Sequence, residues 1–195
     1  MPTVTALRVR GPGRVAVELD GAPWRVLPLD VVARAGLAEG RMLDRPALRL
    51  LRRELRRAEA LRAATRALRV RDLSRQRLTE KLAQADVTPP AAAETVETLA
   101  RAGLVDDARL ACRRAESLAE RGYGDAAIRH RLAVEGLPRE AVEEAVSGLG
   151  AETERALRLV ERRGTVGRTA RYLSARGFGE EAVQAALGTA FGQDV

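Results

Sequence analysis

Cysteine and histidine are scarce in this chain, and each scarcity excludes a class of site. A single cysteine, Cys112, excludes an internal disulfide and a multi-cysteine metal site. A single histidine, His130, leaves no partner for a zinc site and no spacing that suggests a catalytic triad. Gly11-Pro12-Gly13 matches no nucleotide-binding fingerprint. The sequence therefore predicts a protein that is not an enzyme and that uses no metal or cofactor.

Long apolar runs are absent from the sequence, and aromatic residues are few. No stretch approaches the roughly 18–20 apolar residues of a membrane span, and the N-terminus lacks the layout of a signal peptide. We therefore expect a soluble, cytoplasmic protein with no membrane partner. Aromatic residues make up only 3% of the chain, which favours helical cores of Leu, Val and Ala. Cys112 lies among apolar positions of a predicted helix, so we expect it to be buried.

What the chain does have is positive charge, and that charge is localised. The net charge is +7, yet residues 45–77 alone hold twelve arginines against three acidic residues, a net of +9 (12 − 3). Five of these arginines recur at helical spacing opposite an apolar seam. The five are Arg49, Arg52, Arg53, Arg56 and Arg57; the seam is Leu48, Leu51, Leu55, Ala58, Leu61, Thr65 and Leu68. This face either binds phosphate or acidic groups or is a solvated helix surface.

The first 44 residues differ from the rest. Apolar residues alternate with polar ones, which predicts half-buried strands; they are Leu7, Val9, Val15, Val17, Leu19, Trp24 and Val26. Pro12-Gly13 and Asp20-Gly21 supply turns, and Leu29–Ala35 reads as a short helix closed by Gly36. Asp44 then caps a helix with Pro46 in its first turn. Whether residues 45–70 form one helix or two is left open by the sequence.

Residues 62–195 read as one three-helix unit repeated three times. Five apolar columns recur at offsets of 50 and 41: Leu68, Leu118 and Leu159; Leu82, Leu132 and Leu173; Val87, Leu137 and Phe178; Ala92, Val142 and Val183; Val96, Val146 and Leu187. Ser74, Gly124 and Thr165 are the predicted N-caps of the second helices. Such repeats bury their apolar stripes by stacking.

The predicted fold is thus mainly α, a tandem array of three helix-turn-helix-like repeats after a small β-rich module. We predict five segments: the module over 1–44, a basic linking helix over 45–61, and repeats 1, 2 and 3 over 62–104, 105–149 and 150–195.

Several segments of the repeats resemble the RecX family of recombinase regulators. These are Ser74–Leu82, Gly103–Ala111, Arg121–Gly124 leading into Ile128-Arg129, and Tyr172–Phe178. The resemblance implies a protein that binds the RecA–DNA filament, lodges in its groove, and restrains strand exchange and ATP hydrolysis. We expect the protein to be a monomer. It supplies no catalytic residues.

The candidate binding residues come from charge and helix phase alone. They are Arg49, Arg52, Arg53, Arg56, Arg57, Arg75, Lys81, Arg129 and Arg131, and we expect them to contact the RecA filament and the DNA backbone without sequence preference. Two alternatives remain. A helix-turn-helix transcription regulator would read bases with one helix, and a helical-repeat scaffold would bind protein only.

Overall fold

In a computed structural model of the chain, residues 1–163 and 166–191 are described, and they form one three-stranded sheet and ten helices. The strands are β1 (Val4–Val9), β2 (Arg14–Leu19) and β3 (Ala22–Pro28). The helices are α1 (Leu29–Arg34), α2 (Arg45–Leu68), α3 (Arg75–Gln84), α4 (Pro89–Arg101), α5 (Asp107–Glu120), α6 (Asp125–Val134), α7 (Arg139–Ser147), α8 (Glu152–Arg163), α9 (Val166–Ala175) and α10 (Glu180–Phe191). The predicted fold class, helical repeats after a β-rich module, is confirmed.

The N-terminal sheet is an antiparallel meander in the order β1-β2-β3. Asp20 and Gly21 both adopt positive φ at the tight turn between β2 and β3. Apolar residues of one sheet face pack with α1 and the start of α2 into a single core. The core includes Val4, Val15, Val17 and Leu27 from the sheet and Val31 from α1. The predicted short helix is α1, and Gly36 follows it with a φ of +63°.

The predicted phase of the strands is wrong at three positions. Leu27 pairs with Val15 across the sheet and is buried. Because successive side chains of a strand point to opposite faces, Trp24 and Val26 lie on the face away from the core, and they are 39% and 44% exposed. Val9, at the end of β1, is 79% exposed. Apolar alternation found the strands but assigned these side chains to the wrong face.

Helix α2 is one continuous helix of 24 residues. Asp44 caps it by accepting a hydrogen bond of 2.8 Å from the Ala47 backbone N–H, and Pro46 sits in the first turn, where its missing donor costs nothing. Its first half packs Ala47 and Leu51 against the core of the β module. The predicted cap and the first half of the predicted seam are therefore confirmed.

The buried face of α2 changes along its length. Ala60 and Ala64 are fully buried, although Ala60 lies nine residues, about two and a half turns, beyond Leu51 and so faces the opposite side. The predicted seam accordingly fails at Leu61, which is 39% exposed, and at Thr65, which is exposed. The three- and four-residue spacing predicted a single apolar seam, but the two halves of α2 bury different faces.

The chain forms two compact units. One comprises Met1–Val70 with Lys81–Glu97, and the other comprises Arg71–Glu80 with Thr98–Val195. The division into five sequence segments stays a prediction.

The residues of the five repeat columns are buried or partly buried, as the repeat pattern predicts. The second-helix leucines Leu82, Leu132 and Leu173 are each at most 1% exposed. Ser74 caps α3, its hydroxyl accepting from the Arg77 backbone N–H at 3.1 Å, and Gly124 is the N-cap of α6. The third predicted cap, Thr165, lies outside the described residues.

Consecutive repeats are joined by the same two kinds of hydrogen bond. At the first junction, the Ser74 hydroxyl donates to the Glu135 carbonyl oxygen at 2.7 Å, and the Arg75 backbone N–H donates to the Asp107 carboxylate at 2.9 Å. The start of α3 in repeat 1 thus contacts two places in repeat 2. These are the end of its second helix, α6, and the first residue of its first helix, α5. Asp107 therefore stabilises the neighbouring repeat besides serving its own helix.

The second junction repeats this arrangement with a closer backbone approach. The Gly124 N–H donates to the Arg176 carbonyl oxygen at 2.9 Å, and the Asp125 N–H donates to the Glu152 carboxylate at 2.6 Å. A Cβ atom built on Gly124 would overlap the backbone of Gly177. Glycine at position 124 is therefore required by the contact, since its φ of −80° would suit any residue.

The expectation that Cys112 is buried is wrong, because its side chain is exposed. Leu110, Ala111, Ala115 and Leu118 take the core face of α5, which leaves position 112 on the solvent side of the helix. The apolar residues that are close to this cysteine in the sequence lie on a different face of α5.

Candidate functional site

The predicted arginine stripe lies on α2. We use "α2 stripe" for Arg49, Arg52, Arg53, Arg56 and Arg57. All five fall on the side of the helix that faces away from Leu51, as the helical spacing predicts. The first four are exposed, and the side chain of Arg57 is 34% exposed.

Two residues of the α2 stripe are held by carboxylates. Arg53 forms an ion pair of 3.2 Å with Glu54, whose side chain is only 5% exposed. Arg57 forms an ion pair of 3.6 Å with Glu94 on α4. A buried carboxylate needs a partner to offset the loss of hydration, so Arg53 has a structural role that the sequence did not indicate. Arg57 likewise has a partner within the fold.

The other three arginines of the stripe carry uncompensated charge. No ion pair or hydrogen bond holds the side chain of Arg49, Arg52 or Arg56 within the part of the chain that the structure describes. They follow one another at three- and four-residue spacing, so their guanidinium groups lie along one line of the helix surface. Guanidinium offers paired donors that match phosphate or carboxylate oxygens. This line can therefore bind a row of anionic groups.

A cleft beside the stripe adds two arginines. It has a volume of about 360 Å³ and lies between α2 and the turn from α3 to α4. Arg56, Arg62 and Arg66 line it together with the acidic residues Glu59 and Asp86. Arg62 and Arg66 were not predicted as binding residues, because the expected apolar seam runs along that side of the helix. Their four-residue spacing was the signal available.

The remaining predicted residues differ in the contacts that their side chains make. Lys81 is exposed and its ammonium group donates to the Gln84 side-chain oxygen at 3.1 Å. Arg75 is exposed, and its backbone N–H donates to the Asp107 carboxylate at the first junction between repeats. Arg129 forms an ion pair of 2.9 Å with Glu143, which makes it less available to an outside anion.

Arg131 belongs instead to a cluster around Tyr123. Its guanidinium carbon lies 4.3 Å from the centre of the Tyr123 ring, with that of Arg176 at 4.6 Å and that of Arg121 at 5.8 Å. We call these four residues the Tyr123 cluster. The attraction between a cation and an aromatic face operates within about 6 Å. Arg121 is the C-cap residue of α5.

Among the described residues, no group of three or more His, Cys, Asp or Glu side chains could hold a metal ion. None of the helices in the described part combines the length and apolar character that a membrane crossing requires. His130 is exposed. What the arginines offer is electrostatic binding of anions.

Sequence comparison places these features in a family. The family model for the second three-helix domain of RecX matches residues 106–146. Regulatory protein RecX of Xanthomonas oryzae pv. oryzae is 36% identical over 126 residues, covering 60% of this chain and 79% of that protein. Regulatory protein RecX of Chromohalobacter salexigens is 34% identical over 137 residues, covering 66% of this chain and 90% of that protein.

Solved structures agree on the fold. A crystal structure of regulatory protein RecX matches with a TM-score of 0.79 and covers 94% of this chain and 98% of its own. RecX from Lactobacillus salivarius matches with a TM-score of 0.62 and covers 69% of this chain and 96% of its own. Both are only 18% identical to this chain, so these matches show the fold alone. The sequence relatives carry the assignment: this chain belongs to the RecX family of regulatory proteins.

Proposed function

We propose that this protein is a non-enzymatic regulator that binds the RecA–DNA filament and restrains its ATP hydrolysis and strand exchange. Family membership supports a regulatory role. The three uncompensated arginines of the α2 stripe carry the finer proposal, because like charges on one helix face repel one another unless a partner neutralises them. In this proposal Arg49, Arg52 and Arg56 contact the phosphate backbone of DNA.

Arginines that contact only phosphates fix position without reading sequence. The proposed binding is therefore independent of DNA sequence and strongly dependent on salt, since each neutralised phosphate releases counterions. We further propose that the protein acts as a monomer, without a cofactor, in the cytoplasm where its proposed partner works. Arg53 and Arg57 stay outside the proposed contact, since Glu54 and Glu94 already hold them.

The test is RecA-dependent ATP hydrolysis and strand exchange on single-stranded DNA with increasing amounts of the purified protein. We expect the wild type to slow both reactions. The triple variant Arg49→Gln, Arg52→Gln, Arg56→Gln should inhibit less. A matched control, Arg10→Gln, Arg25→Gln, Arg34→Gln, removes the same charge from exposed positions on the β module and α1, and it should inhibit like the wild type.

Duplex-DNA binding in a salt titration separates the alternatives. Each lost phosphate contact should flatten the log–log salt dependence by about 0.9, so the triple variant should lose up to three such steps. Binding that depends on DNA sequence would indicate a transcription regulator. Unchanged inhibition and an unchanged salt slope in the triple variant would show that the α2 stripe is a solvated face.

A further inference from the structure

The Tyr123 cluster gathers three positive charges in a small space. The guanidinium groups of Arg121, Arg131 and Arg176 all lie within 6 Å of one ring centre. Tyr172 extends the aromatic surface, with its own ring 5.1 Å from the Arg176 guanidinium. Arg121 and Arg131 are exposed, while Tyr123 and Arg176 are half-buried. The cluster is therefore open to solvent on its charged side.

No carboxylate neutralises this charge. Across residues 1–163 and 166–191, none of the three arginines forms an ion pair with an acidic side chain. The nearby acidic residues are engaged elsewhere: Glu135 pairs with Arg114 at 3.3 Å, and Asp125 pairs with the buried Arg155. Three adjacent guanidinium groups repel one another at neutral pH. An anion from outside the chain would relieve that repulsion.

The arrangement is held by backbone contacts as well as by the ring. Arg121 closes α5, Arg131 is in the last turn of α6, and Arg176 follows α9 directly. The second repeat junction joins the ends of α5 and α9, because the Arg176 guanidinium donates to the Arg121 carbonyl at 3.2 Å, and the Arg176 carbonyl accepts from the Gly124 N–H, at the start of α6, at 2.9 Å. Arg131 is placed by its contact with the Tyr123 ring. Most of these side chains are therefore already in place before an anion binds, which lowers the entropic cost of binding.

We propose that the Tyr123 cluster is a second anion site and that it binds phosphate groups of a nucleic-acid backbone. A nucleic-acid strand presents regularly spaced phosphates, so neighbouring guanidinium groups can be neutralised together. Arginine forks also match phosphate oxygens, and their planes stack on bases. An acidic protein segment would need several carboxylates at matching spacing. The proposal takes its partner class, nucleic acid, from the proposed function and adds a distinct site.

The first test is binding of a labelled oligothymidylate, followed by fluorescence anisotropy across a salt series. Arg131→Gln should weaken binding about three- to tenfold, the loss expected for one exposed charge-assisted contact. It should also flatten the salt slope by about 0.7, the value for one phosphate of a single strand. The control is Arg139→Gln, which removes the same charge at an exposed position of α7. Equal losses in the two variants would overturn the site in favour of diffuse charge.

The second test changes no charge. Tyr123→Leu removes the ring that positions the arginines, and Tyr123→Phe keeps it. We expect weaker binding only for Tyr123→Leu, with circular dichroism confirming that both variants are folded; equal binding by the two would overturn the role of the ring. Competition by oligoglutamate at the same charge concentration, with the same dependence on Arg131, would assign the site to an acidic protein instead.

The two proposals fail in different ways. If oligothymidylate binding depends on Arg131 while RecA activity is unaffected by the protein, the anion site stands and the proposed function falls. If RecA is inhibited equally by wild type and Arg131→Gln, and oligothymidylate binding is also unchanged, the Tyr123 cluster is not a binding site.

Discussion

The junction between repeats 2 and 3 makes a sharp prediction at Gly124. A methyl group at this position would overlap the Gly177 carbonyl oxygen and the Phe178 nitrogen, both of which are backbone atoms that no rotamer change can move. Gly124→Ala would therefore push the start of α6 away from the turn after α9. Two hydrogen bonds would break: Gly124 N–H to the Arg176 carbonyl at 2.9 Å, and Ala126 N–H to the Gly177 carbonyl at 3.2 Å.

The magnitude follows from these losses. Each hydrogen bond contributes about 0.5–1.5 kcal/mol net, and forcing an extra methyl group into a packed contact costs about 1–3 kcal/mol. We therefore expect Gly124→Ala to lower the free energy of unfolding by about 2–6 kcal/mol. Backbone strain adds nothing, because the conformation at position 124 is one that alanine readily adopts.

Urea denaturation followed by far-ultraviolet circular dichroism measures this loss, and hydrogen exchange at the Ala126 amide localises it. The control is Gly188→Ala in the interior of α10, where no atom lies within 4 Å of the added carbon. That variant should be more stable by up to about 1 kcal/mol, since alanine favours helix over glycine. A Gly124→Ala protein as stable as the wild type, with equal protection at Ala126, would refute the close approach of the two repeats.

Three further predictions concern single side chains. Arg155 is 7% exposed and donates to Asp125 and two backbone carbonyls; Arg155→Gln should therefore cost about 3 kcal/mol in a denaturation experiment, and a loss below 1 kcal/mol would contradict the network. The hydrogen bond from Arg77 holds the pKa of Glu80 below its ordinary 4.5. The contribution of this pair to stability is therefore present above pH 4.5 and is lost as the pH falls through the lowered value. The chemical shift of the Glu80 carboxyl should titrate with a midpoint below 4.5, and a midpoint at or above 4.5 would argue against the pair. Cys112 should react with Ellman's reagent in the native protein as fast as a free thiol, because its side chain is exposed; slow reaction that awaits unfolding would restore the buried assignment.

Features set by local periodicity could be predicted from the sequence. The burial of Leu82, Leu132 and Leu173 follows from a column that recurs in every repeat, and each residue is at most 1% exposed. The Asp44 and Ser74 caps follow from residue type at a helix start, and both side chains accept the predicted backbone hydrogen bonds. In these cases the physical cause lies within a few residues of the feature itself.

Features set by the choice of neighbour could not be predicted in this way. Which face of α2 is buried depends on what packs against each half, so the burial of Ala60 and Ala64 opposite Leu51 was missed. The same holds for the α2 stripe: charge and spacing found five arginines, but only the structure pairs Arg53 and Arg57 with carboxylates.

The Tyr123 cluster joins residues up to 55 positions apart, and the junction between repeats brings them together. Its sequence signal was the recurrence of Arg-Gly before an aromatic residue, at Arg121-Gly122-Tyr123 and Arg176-Gly177-Phe178.

Co-sedimentation with RecA filaments assembled on single-stranded DNA tests the central claim most directly. The proposed function predicts that the wild-type protein pellets with the filaments at physiological salt, and that the fraction pelleted falls for the Arg49→Gln, Arg52→Gln, Arg56→Gln variant but not for its charge-matched control. If the wild-type protein stays in the supernatant while the filaments pellet, it does not bind the RecA–DNA filament and the proposed function is wrong.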